Sequence, residues 1–220
     1  MKKIILFIAV FSIVNYSIAQ SERFQKAMEQ HVVSIDTTTT IDGWRDLGNT
    51  FQRIADAEKT QWLPYYYSAM SHVMVGYNIG TANGGMGGFA DKTDPEADQA
   101  EQLLNKAEEL GKVNSEILCM RKMIATLRMM ADPMNRYQTQ GAMAAEALEK
   151  AKGLNPDNPR VYILEGQDKF FTPEQYGGSK TEAKTLFEEA MKKFETFKPE
   201  STIHPNWGKG QVVYFLSQLK

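Results

Sequence analysis

The chain has 220 residues, 42% of them hydrophobic and 24% charged, with a formal net charge of −2 and a calculated pI of about 6.0. That length suffices for one domain with a sizeable core, and the slightly acidic balance implies no basic surface for nucleic acid. A single cysteine, Cys119, excludes an internal disulfide, so stability has to come from packing.

At the N-terminus, Lys2 and Lys3 precede an apolar stretch from Ile4 to Val14 and the small-residue end Ser17-Ile18-Ala19. This is the pattern of a secretory signal peptide cut after Ala19. The run is too short for a spanning helix, and no cysteine follows it to carry a lipid. The expected mature chain, 20–220, is a single domain with a formal charge of about −4, because two lysines and no acid are removed. It is expected in the periplasm or outside the cell, and no later segment is long and apolar enough for an integral membrane span.

Phe24, Met28 and Val32 predict a first amphipathic helix over 21–34, and Trp44, Leu47, Phe51 and Ile54 a second running to about Lys59. The next helix, from Trp62 to about Ile79, opens on Trp62-Leu63-Pro64-Tyr65-Tyr66-Tyr67 and is unusually aromatic. Its cluster reads first as core packing; the functional alternative is a groove lined by Tyr66, Met70 and Val73, since aromatics give a partner large contact area at low entropic cost.

Residues 81–92 are glycine-rich and cannot sustain a helix. They lack the Gly-Lys-Ser/Thr of a phosphate loop, and Asp91, Asp94, Glu96 and Asp98 lack the spacing of a calcium loop, so no metal site is expected. Thr93 with Glu96 reads instead as a capping box opening a helix over 95–110. That helix carries Ala100, Leu104 and Ala107 on one face. A further helix over 116–130 places Ile117, Ile124 and Leu127 together, with Met120, Met123, Met129 and Met130 as adaptable filling and Cys119 as a small buried hydrophobe.

Asp132 and Pro133 restart the chain as cap and first helical residue, giving a helix with Ala144, Leu148 and Ala151 on one face. Pro156 stops it; Asn158 caps the next helix and Pro159 opens it. Residues 170–178 interrupt the pattern, then Ser179 and Glu182 form another capping box before Ala183, Phe187 and Ala190. The tail, with His204-Pro205 read as packing and helix start, leads to a last helix bearing Val212, Val213, Phe215 and Leu216.

The stretch Met143 to Gly166, with its small-large-small series, proline and new helix start, resembles the junction between two tetratricopeptide (TPR) repeats. The series recurs at Ala100-Leu104-Ala107 and Ala183-Phe187-Ala190, at intervals of 44 and 39 residues rather than the family's 34. Strict counting puts Lys122 at a position the family keeps small, so the register there is either shifted or loosely packed. Together with the signal peptide, the aromatic helix and the His-Pro-Asn-Trp-Gly tail, the chain resembles small exported bacterial TPR proteins of no assigned activity. The resemblance implies an all-α, right-handed α-α superhelix, a TPR-like solenoid of about three degenerate helix pairs plus a C-terminal capping helix, that binds protein or peptide on its concave face. Carried onto the helix after Pro159, it makes Arg160, Ile163 and Gln167 groove candidates.

The functional expectation is a non-catalytic adaptor for a protein or peptide, without cofactor. One alternative is an assembly component that forms a homodimer through its aromatic and Met-rich helices. An exported hydrolase is less favoured: the chain has no Gly-x-Ser-x-Gly elbow, no His-Glu-x-x-His and no Cys-x-x-Cys, and its three histidines are far apart.

Overall fold

The computed structural model describes residues 22–220, so the signal-peptide reading lies outside the described residues. Helix α1, residues 22–32, turns Phe24 and Met28 into the core. Thr40 caps α2, Ile41–Glu58, its hydroxyl accepting the Gly43 N–H at 3.1 Å. The inward stripe of α2 is Trp44, Leu47, Phe51 and Ala55, which leaves Ile54 at the edge.

Helix α3, Trp62–Ala82, is buried on nearly every side, as its apolar sequence demands of a helix without a polar face. It is the central element, packed by α2, by α4 (Ala90–Gly111) and by α5 (Ser115–Ala131). The start of α4 corrects the expected one: the helix begins at Ala90 and Pro95 lies inside it. Thr93 is no cap. Its hydroxyl donates to the Phe89 carbonyl, and Glu96 faces His72 on α3 instead.

Lys122 sits on the buried side of α5 at 2% exposure and reaches Asp168 with a 2.6 Å ion pair. A long aliphatic stem with a charge at its tip thus fills a crossing expected to hold a small residue. The next helix is broken into α6 (Pro133–Arg136), a π-helical turn (Tyr137–Gly141) and α7 (Ala142–Leu154). Asp132 does not cap it; the carboxylate takes the Asn135 side chain at 2.9 and 3.0 Å.

Asn158 does cap α8, Pro159–Phe171, accepting the Arg160 N–H at 3.0 Å. Ser179 caps α9, Lys180–Thr196, accepting the Glu182 N–H at 3.1 Å, while the Glu182 carboxylate goes to Lys169. Gly166 is where α8 and α9 cross: a Cβ there would stand 2.7 Å from the Phe187 ring. The chain closes with α10, Lys209–Gln218.

The described residues are helices and turns without a strand, and no described helix is long and apolar enough to cross a membrane. All nine residues of the three small-large-small series are buried. The interior divides into two clusters. The larger spans α1 to the first half of α8 and includes Ile203 and Trp207 from the tail; the smaller joins Ile163, Ala183, Phe187, Ala190, Val212 and Phe215 of α8, α9 and α10.

Candidate functional site

The six residues expected to line an open groove are inside the protein. Tyr66, Met70 and Val73 of α3 and Arg160 and Ile163 of α8 are buried, and Gln167 is half-buried with its amide donating to Gln211 at 3.3 Å. A strap formed by the tail, residues 197–208, covers α3. The Tyr67 hydroxyl donates to the Ile203 carbonyl at 2.8 Å, the Trp207 indole donates to the Tyr66 hydroxyl at 3.0 Å, and His204 sits edge-on against Trp62.

Under the strap, Arg160 gives Glu116 contacts of 2.6 to 2.9 Å from Nε and Nη2, and its guanidinium lies 4.5 Å from the Phe197 ring centroid. Asn158 adds a donor to the same carboxylate at 2.9 Å. Burial pushes the Glu116 carboxyl up, while the charge and hydrogen bonds of Arg160 and the Asn158 amide hold it down. Burial likewise pushes up the Tyr66 and Tyr67 hydroxyls and the Cys119 thiol, so none of the three is poised for proton transfer or attack.

Two apolar faces remain open. The first lies where α8 and α10 end side by side. Phe170 and Phe171 close α8; Tyr214 and Phe215 project from α10; and Phe187 of α9 stacks on Phe215 at 4.9 Å. Phe170 and Phe171 each meet the Phe215 ring edge-on, at 5.1 and 5.7 Å, and Tyr214 does so at 5.5 Å. Phe171 is 69% and Tyr214 60% exposed.

This end is shaped by the loop after α8. Gly178 presses on the Thr172 carbonyl so closely that a Cβ would overlap it, and the Ser179 N–H returns to the Lys169 carbonyl at 2.9 Å. The fold-back brings Lys180 over the Phe170 ring, 3.2 Å from its centroid, with Nζ donating to the Phe170 carbonyl at 2.5 Å. A cleft of about 250 Å³ lies between Lys169, Phe171, Pro173 and Lys180.

The second open face surrounds the glycine-rich loop. Gly87, at φ 77°, donates to the Met130 carbonyl at 2.8 Å, which sets Met86 beside the α5–α6 junction where Met134, 92% exposed, and Tyr137 project. Carboxylates frame it. Arg136 is held by Asp94 at 2.7 and 2.8 Å, and Arg128 by Asp98 and Glu101 at 2.8 and 2.6 Å. Hydrogen bonds from Arg136, with that charge and Arg128 nearby, hold the Asp94 carboxyl below its usual range against a smaller desolvation effect.

Among the described residues, no three His, Cys, Asp or Glu side chains come together as metal ligands. His72 has its Nδ1 on Glu96 at 2.6 Å and opens into a second cleft of about 250 Å³, lined by Asn49, Gln52, Gln99 and Lys106. His31 lies against Phe51, and His204 is bonded to Ser201 at 2.8 Å.

No protein-family model and no curated protein matches the chain. Its fold is matched by the solved structure of the HusA haemophore from Porphyromonas gingivalis, with a TM-score of 0.75 and 31% identity over 90% of this chain and 92% of that one. The chain belongs to the family of that haemophore. The aromatic end went unread in the sequence because residues 170–178 read as an interruption of the pattern, whereas Phe170 and Phe171 still belong to α8. The signal available was two adjacent phenylalanines at a helix end, followed by Thr-Pro and closed by Gly-Gly.

Proposed function

We propose that this protein is an exported, non-catalytic carrier of a haem-class tetrapyrrole. Membership of the HusA haemophore family carries the reading. The physical features agree with it. Each cleft, at about 250 Å³, is below the roughly 300–1,000 Å³ of sites that enclose a small ligand. A broad flat ligand is therefore expected to lie on an open apolar face, of which the molecule offers two. Exposed contiguous apolar surface rimmed by polar groups is what a binding site of this kind requires.

In this reading the stacked helices are a degenerate TPR-like solenoid whose concave side is filled by its own tail, and the signal peptide over 1–19 delivers the mature chain to the periplasm or beyond. The adaptor reading, made for the concave face, loses its groove to the tail; a protein or peptide partner would instead find the exposed Met86–Met134 face, since methionine surfaces adapt to varied partners. Ferric haem titrated into the chain beginning at Gln20 is expected to give a saturable, one-to-one change in the Soret band. A spectrum that grows only in proportion to added haem overturns the carrier reading. Size-exclusion chromatography with light scattering, with and without haem, separates a monomeric carrier from a self-associating component.

A further inference from the structure

We infer that the tetrapyrrole lies on the aromatic end, against Phe171 and Tyr214, with its carboxylates turned toward Lys180. The inference rests on the carrier reading above and names its site. Three apolar places compete for such a ligand. The concave side of α3 is filled by Ile203 and Trp207, both buried. The face around Met134 is open, but its arginines are held by Asp94, Asp98 and Glu101, so a ligand bearing carboxylates would meet carboxylates there.

The aromatic end is open, and although Glu174 lines its cleft and Glu182 pairs with Lys169, a second lysine there, Lys180, pairs with neither. Its exposed rings, Phe171 of α8 and Tyr214 of α10, both meet Phe215 edge-on, and Phe215 stacks on Phe187 of α9 in the smaller core, so an apolar aromatic surface is held in place before any ligand arrives. Its cation is uncommitted. Among the described residues Lys180 makes no ion pair; Nζ rests on the Phe170 carbonyl and ring, neutral partners that a carboxylate can replace. Apolar surface and adjacent cation are the two features an amphiphilic, anionic macrocycle presents in complement. No histidine belongs to this end, so recognition there runs through the ring system and its carboxylates.

The test titrates ferric haem, at low and at high salt, into the chain from Gln20 and into variants altered at exposed positions, each first checked by circular dichroism. Phe171→Ala with Tyr214→Ser is expected to raise Kd about tenfold or more. Lys180→Glu should raise it several-fold, with the difference shrinking at high salt. His72→Ala and Met134→Ser should bind as the parent does. Unchanged affinity in the folded double variant, or a loss confined to His72→Ala or Met134→Ser, overturns this site while leaving the carrier reading intact. Absence of saturable binding by the parent chain overturns that reading itself.

Discussion

Trp207 and Tyr66 are 141 residues apart in the chain, yet the indole N–H of one donates to the hydroxyl of the other at 3.0 Å, with both side chains buried. The bond fastens the strap across the face of α3. Trp207→Phe keeps most of the ring and removes the donor, leaving a buried hydroxyl oxygen with one partner fewer; a loss of about 1–3 kcal/mol is expected. Trp207→Ala adds a cavity and should cost about 3–5 kcal/mol. Urea unfolding followed by circular dichroism checks both, and equal losses would deny the hydrogen bond a separate role.

The strap should also make stability depend on pH through His204. Burial lowers its pKa below the usual 6.5, and Glu200 opposes the shift only in part, being almost wholly in solvent. Because the folded state holds the proton less tightly than the unfolded one, the contribution of neutral His204 is present above pH 6.5. It is lost as pH falls through the lowered folded value. His204→Gln should flatten this part of the curve. The measurement is the urea midpoint of parent and variant at about pH 7.5 and 5.5; parallel shifts in the two proteins would assign the dependence elsewhere.

Two buried cations should respond oppositely to loss of charge. Arg160 is fully buried with Glu116 as its anion, so Glu116→Gln strands a charge and should cost about 3–5 kcal/mol. Lys122 is buried too, but its partner Asp168 is 47% exposed and stays solvated when the lysine goes. Lys122→Met is therefore expected to fall within about 1 kcal/mol of the parent, or to stabilise it. Thermal denaturation of the two variants side by side decides the contrast.

Much of the scaffold was legible in the sequence because its signals are local. Ala144, Leu148 and Ala151 share a face by helical spacing alone, and Asn158-Pro159 marks a helix start by the chemistry of two residues. What was not legible depends on residues far apart. The aromatic helix reads first as core, but nothing near Tyr66 announces that Trp207 will cover it, so a groove stays open as the alternative. The pair Thr93 and Glu96 has the spacing of a cap, but Glu96 is claimed by His72 on another helix, and α4 starts five residues before Pro95. Lys122 looked misplaced because its partner, Asp168, comes from α8. The three helix-crossing series were found and the surface that remains open was not, since exposure at a helix end follows from how the last elements stop rather than from any period.

The strap also fixes the order in which this protein can become complete. The larger core takes Ile203 and Trp207 from the far part of the chain and sets them against α3, while Thr202 bonds to Gln25 and Glu29 of α1. A chain emerging N-terminus first can form its early helices, but it cannot close that core until about residue 207 has followed. For a protein read as exported, the delay is useful. Such a chain would stay short of its final stability while threaded across a membrane and would reach it only on the far side, by the contact that covers α3.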